Sequence, residues 1–303
     1  MSARALLSSA RGREAIACYA FISPAILYLV FLAAGPILAS FLISFTYWDV
    51  LTPPRWAGLD NYKEMLFEDP LFWQSLWNTL YFTAFVVPLG VVLPFLAAML
   101  LNTEVRGMPV YRTCFYLPSI VPVVAGSVLW LWMLNPEVGL VNAVLRGAGI
   151  EGPGWMFSTE WSKMAIIVMT LWGTIGGPSM LIYLAGLQGV PRSLHEAAEL
   201  DGARAHSRFL HITVPMMSPY ILFTLVMGFI GAFQVFTQAY VMSARGDGGP
   251  VNSTLFYVLY LYQKAFRQYE MGYASAMAWF LFVVILVVTA VQFRVLGKRV
   301  HYS

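Results

Sequence analysis

The chain has 303 residues, 59% of them apolar and 11% charged, with a formal net charge of +3. Soluble domains carry about 25% charged residues. The composition therefore excludes a soluble domain and indicates an integral membrane protein.

Runs without Asp, Glu, Lys or Arg mark the elements in chain order. After Glu14 no such residue occurs before Asp49, and further gaps cover 70–103, 113–136, 164–191, 209–244 and 271–293. Each exceeds the roughly 20 residues that cross a bilayer as a helix. The fold expected is an all-α integral membrane protein with spans at 15–47, 72–102, 113–135, 164–188, 216–242 and 271–294. These form one six-helix transmembrane domain over 15–297, between tails at 1–14 and 298–303. A shorter run, 248–263, begins Gly-Gly-Pro and reads as interfacial or re-entrant. The first span is too long for the core of a signal peptide, roughly 7–15 residues. Cys18 and Cys114 sit in or beside apolar spans without metal-ligand spacing, and read as packed hydrophobes rather than a disulfide or metal site.

Lys and Arg favour the cytoplasmic side of membrane proteins. With the N-terminus inside, eleven of the 18 basic residues fall inside and seven outside. Both termini and the 192–215 loop are then cytoplasmic. The outer segments, 49–72, 135–162 and 243–270, carry interfacial aromatics (Trp56, Phe67, Trp155, Trp161, Tyr257). A short amphipathic helix is expected over 138–146.

The 192–215 loop is polar and rich in helix formers. Pro191 closes the fourth span. Ser193 followed by Glu196 fits a capping box, which would satisfy free N–H groups at a helix start. Gly202 breaks the helix, a second short helix covers 203–210, and Pro215 and Pro219 lead into the fifth span. The result is two short helices along the inner membrane surface. Ala197, Ala198 and Ala203 lie close to the glycine. On the residues alone, the loop is either a docking surface or a solvated connection.

Glu196-Ala197-Ala198, three residues, Gly202, nine residues, Ile212, one residue, then Val214-Pro215 resembles the EAA loop of ABC importer permeases. The family pattern has Leu where this chain has Val214. Segments 58–62, Asn78-Thr79, 181–188, 233–236 and 271–276 are similar to the sugar-importer branch, and the likeness covers roughly residues 20–300. It implies one permease subunit of a binding-protein-dependent sugar importer in a bacterial or archaeal cytoplasmic membrane. The implied partners are a second permease, often a different chain, two ATPase subunits and an extracytoplasmic binding protein, with no nucleic acid. Glu196 and Gly202, then Ala197, Ala198 and Asp201, are the residues it assigns to ATPase coupling.

No G-x-x-x-x-G-K-[ST] phosphate loop occurs, so ATP and Mg would belong to the partner ATPases. No cofactor and no catalytic site are expected in this chain. The apolar runs carry no Asp, Glu, Lys or Arg. That argues against an ion-driven carrier, which keeps such groups in its spans, and more weakly against an anionic cargo at the midplane. His195, His206 and His211 all lie in the loop.

A sugar path needs aromatic faces and neutral hydrogen-bonding groups. On the fifth span, Phe229, Phe233, Phe236, Thr237 and Tyr240 fall on one helical stripe, flanked by Gln234 and Gln238. The fourth span offers Thr170, Trp172 and Thr174. Helix packing is the alternative for each aromatic. Gly173 and Gly177 form a G-x-x-x-G suited to close helix approach, and Pro178 is a kink point. Trp130, Trp132 and Ser127 are weaker candidates. The expected function is import of a neutral sugar or oligosaccharide by alternating access. Glycerol 3-phosphate or a related polyol ester is the alternative cargo, and a secondary carrier or channel the rival class.

Overall fold

The computed structural model describes residues 10–243 and 246–297. Residues 1–9 of the expected N-terminal tail, the whole C-terminal tail and Arg245 lie outside the described residues. The chain is mostly helical, with a single two-stranded ladder among the described residues. Four helices are long and apolar enough to cross a membrane: Glu14–Ile43, Pro70–Leu101, Ser218–Met242 and Met271–Leu296. Two bent pairs raise the number to as many as six when each is taken as one span.

Those pairs show the third span bent where no bend was expected, and the fourth bent at the expected kink point, Pro178. Met108–Ile120 and Val123–Met133 meet at 93°, and Ser162–Ile175 and Pro178–Gln188 at 40°. The cause is the same in both. A residue before proline is pushed out of the helical region. Val121 precedes Pro122 at ψ 125°, and Gly177 precedes Pro178 at ψ −164°. The fifth span is also interrupted, between Ser218–Phe233 and Thr237–Met242, with Phe236 at φ −137°, ψ −60°. No proline marks this break.

The chain divides into two compact units, residues 1–65 with 264–279 and residues 66–263 with 280–303. In the first unit, β1 (Thr46–Tyr47) pairs antiparallel with β2 (Arg55–Trp56), in the register Thr46↔Trp56. This ladder departs from the all-helical expectation. Asp49 builds the connecting turn by accepting from the Leu51 and Thr52 amides. Asn61 donates to the Ser44 and Thr46 carbonyls, and the Trp279 indole donates to Ser40. Gly272 packs so tightly that a Cβ would stand 1.8 Å from the Thr46 carbonyl oxygen.

In the second unit, Asp69 caps Pro70–Leu101 by accepting from the Leu71 and Phe72 amides. At its other end the Arg112 guanidinium donates to the Leu101 carbonyl at 2.9 Å, satisfying one of the carbonyls a helix end leaves open. The 246–262 segment is well packed. Asn78 donates to the carbonyls of Asn252 and Leu255, and Thr79 accepts from the Tyr257 amide. The expected amphipathic helix is present as Leu140–Gly147. A core cluster centred on Phe95, Met180, Tyr183 and Met217 joins the second, fourth and fifth spans.

Candidate functional site

Two places in the second unit hold the residues singled out from the sequence. The first is a cavity of about 330 Å³ between the second, fourth and fifth spans. Its walls include Phe82, Gly90, Thr170, Thr174, Ser179, Thr224 and Gln234–Gln238, and no ionisable group. The Thr170 and Thr174 hydroxyls donate to the Ile166 and Thr170 carbonyls, at 2.8 and 2.7 Å. Their lone pairs remain as acceptors. Thr224 is tied to the Tyr183 hydroxyl. The side-chain amides of Gln234 and Gln238 make no hydrogen bond among the described residues, which leaves their donors open to the cavity. An amide in apolar surroundings needs a partner or water.

Five predicted path residues share this cavity: Thr170, Thr174, Gln234, Thr237 and Gln238. Phe233 is 1% exposed and stacks on Phe229 at 4.9 Å. Trp172 lines a separate apolar cavity with Cys114, Phe115 and Pro118, and packs edge-on against Trp130 at 5.9 Å. The break at 234–236 interrupts the expected single stripe on the fifth span, with Phe229 and Phe233 before it and Phe236 and Tyr240 at or after it. Phe236 lines the cavity and also packs against Tyr240 and Tyr262, with ring centroids at 5.4 and 5.1 Å.

The fourth span also approaches its neighbour differently from the G-x-x-x-G expectation. A Cβ on Gly176 would stand 1.6 Å from the Phe115 carbonyl oxygen, whereas one on Gly173 would meet nothing within 4 Å. The bend at Pro178 places Gly176, rather than Gly173, at the contact. Ser179 and Thr224 were not singled out from the sequence. Their one signal is a hydroxyl inside an apolar span, shared with several residues that do not line this cavity.

The second place is the 192–216 segment. A helix, Arg192–Leu200, starts directly after Pro191 with no side-chain cap. The capping box is absent because Ser193 and Glu196 already lie inside the helix. Gly202 follows at φ +78°. Its amide bonds to the Glu199 carbonyl, and that of Ala203 to the Ala198 carbonyl at 2.9 Å. This is the Schellman arrangement, in which glycine takes the left-handed position. The second helix is longer than expected. Ala205–Arg208 continues through a π-helical turn, Phe209–Thr213, into Val214–Met216.

Arg208 pairs with Glu199 at 2.9 Å across the Gly202 turn. Arg192 pairs with Glu104 at 2.8 Å, and that carboxylate raises the guanidinium pKa further. Glu196, Ala197, Asp201 and Gly202 are exposed, Ala198 is partly buried, and Leu200 is 91% exposed. On the other side Phe209 packs against the core cluster, with its ring 6.1 Å from Phe95. The hairpin thus offers a free outer face and is anchored by an aromatic contact to the spans.

The sequence profile described as "Binding-protein-dependent transport system inner membrane component" matches residues 90–302. The chain belongs to this family of inner membrane components. It is 42% identical over 293 residues to the probable ABC transporter permease protein YesP of Bacillus subtilis (strain 168), covering 96% of this chain and 94% of that protein. It is 36% identical over 283 residues to the lactose transport system permease protein LacF of Rhizobium radiobacter, covering 92% and 93%. The crystal structure of a bacterial ABC transporter that imports the acidic polysaccharide alginate superposes with a TM-score of 0.82 at 23% identity, covering 94% of this chain and 96% of that one. That likeness supports the fold. In this inner membrane component the matched region takes in both the 192–216 hairpin and the fourth- and fifth-span walls of the cavity.

Proposed function

We propose that the chain is one transmembrane subunit of an ATP-driven importer, and that the cavity between its second, fourth and fifth spans is half of the solute path. The cargo is a sugar or oligosaccharide whose portion in the cavity is uncharged, with a polyol ester such as glycerol 3-phosphate as the second reading. The cavity carries this reading. Its walls combine two free amides with hydroxyl acceptors and the partly buried Phe236 ring, the chemistry that recognises sugar hydroxyls, and no charge.

Both termini and the 192–216 hairpin face the cytoplasm in this reading. The exposed face of the hairpin, with Glu196, Ala197, Ala198, Asp201 and Gly202, seats in a cleft of a partner ATPase, which holds ATP and Mg. Closure of the ATPase pair pushes the hairpin. The Phe209–Phe95 contact passes the displacement to the second and fourth spans, and the cavity turns toward an extracytoplasmic binding protein. A second permease supplies the other half of the path.

The test uses the transporter reconstituted with its binding protein and ATPases. Mass spectrometry of the solute retained by the binding protein names the cargo. Gln234→Leu with Gln238→Leu should raise the KM for that cargo while ATP-bound assembly stays intact. Unchanged uptake by the double variant would remove the cavity from the path. Uptake that survives ATP depletion would favour a secondary carrier.

A further inference from the structure

Lys163 stands two helical turns before Thr170 on the fourth span. Separations of 7 and 11 residues place Lys163, Thr170 and Thr174 on one helix face, with Lys163 about 10 Å along the axis from Thr170. Its ammonium donates to the Asn78 side-chain oxygen at 3.2 Å and lies 5.1 Å from the centre of the Tyr81 ring. Asn78 is itself fixed. It is 3% exposed, and its amide N–H groups are spent on the carbonyls of Asn252 and Leu255, at 2.9 and 3.0 Å. No carboxylate among the described residues pairs with Lys163. The lysine is thus partly buried, held in place by a rigid amide and a ring face, and without a counter-charge. A partly desolvated ammonium in that position is costly, and costly charges in membrane proteins mark function. A dipole and a ring quadrupole offset only part of the lost hydration.

We propose that Lys163 receives an oxyanion, a carboxylate, sulfonate or phosphate carried by the solute, while the solute's uncharged, hydroxylated body lies against Thr170, Gln234 and Gln238. The inference rests on the cavity being the path, and it sharpens the cargo to an acidic saccharide or polyol ester. A lysine at a span end also reaches lipid headgroups, whose phosphate presents the same chemistry, so the test separates the two sources.

The assembled transporter is placed in phosphatidylcholine nanodiscs and its lysines are labelled by ¹³C reductive methylation. The Lys163 resonance is identified by its loss in Lys163→Arg. D-galacturonate and sn-glycerol 3-phosphate are titrated against D-galactose and glycerol. A saturable shift of the Lys163 resonance is expected with at least one acid, at a concentration about tenfold below any neutral counterpart. No shift with either acid, or an equal shift with galactose, overturns the proposal. A shift produced only by adding phosphatidylglycerol to the discs also overturns it and gives the lysine to lipid. The double variant Gln234→Leu with Gln238→Leu keeps the two readings apart. Normal uptake by that variant, with the Lys163 shift retained, removes the path reading and leaves the anion site standing.

Discussion

Gly202 separates two explanations of the hairpin. At φ +78° the glycine sits where an L-residue costs about 1–2 kcal/mol. A Cβ there would meet nothing within 4 Å, so conformation is the only internal cost. Gly202→Ala should therefore weaken the turn by that amount, a factor of about 5–30 in its population, and leave the spans folded. Asn tolerates the left-handed region better than Ala, so Gly202→Asn should cost the turn less. If glycine serves only the turn, Asn outperforms Ala. If a partner needs the bare surface beside Ala197 and Ala198, the larger Asn does at least as much harm as Ala. The docking reading commits to the second outcome. The assay is co-purification of the ATPase with each variant, together with ATPase stimulation by loaded binding protein, read beside the thermal midpoint of the permease. A Gly202→Asn transporter that assembles and couples like the wild type would refute the docking claim, whatever Gly202→Ala does.

Gly176→Ala should disrupt folding, because its Cβ cannot fit beside the Phe115 carbonyl, whereas Gly173→Ala, with open space around it, should be tolerated; yield and monodispersity in detergent distinguish them. Asn78→Leu leaves the Leu255 carbonyl unpaired, at about 1–3 kcal/mol for a buried group, while the Asn252 carbonyl keeps the Leu255 amide, and should lower the thermal midpoint. Glu104→Gln removes an ion pair whose two side chains are both exposed and should leave the thermal midpoint unchanged. The Asp49 turn should be insensitive to pH until strong acid. Hydrogen bonds from Thr52 hold the carboxyl below its ordinary 3.8. Their contribution is complete above that value and is lost as pH falls through the lower folded value. Amide exchange at Leu51 and Thr52 followed across the acid range checks this.

Much of the architecture was legible because charge gaps report hydrocarbon length directly. They placed the second span within two residues of its observed start, and Asp69, the last charge before that gap, proved to be its cap. What the gaps could not carry was direction within a span. Pro118 and Pro122 lie inside one uninterrupted apolar run, yet the chain turns by 93° there. Pro178 did announce its bend. The break at 234–236 had no such announcement, since Gln-Val-Phe is compatible with a helix and only the surrounding packing decides otherwise. That is why the polar members of the proposed path came together while Phe233 and Trp172 did not. An amide or hydroxyl in an apolar span must find a partner or a wet cavity. An aromatic ring is as well satisfied by a neighbouring ring. The hairpin was legible for a third reason. Gly202 follows a run of helix formers, and the left-handed turn it makes needs nothing from the rest of the molecule.

The interruption of the fifth span has a consequence for how cargo selectivity is distributed. A helix end leaves its terminal carbonyls and N–H groups without internal partners, and here one helix ends and another begins within the cavity wall. If this cavity is the proposed path, main-chain groups left open at the break would add to the polarity a solute meets, identical whatever side chains occupy 234–238. Substitutions along this wall should then retune which sugar is preferred in small steps, because the backbone continues to satisfy hydroxyls that no side chain addresses. A transporter built this way can change cargo without passing through a form that carries nothing.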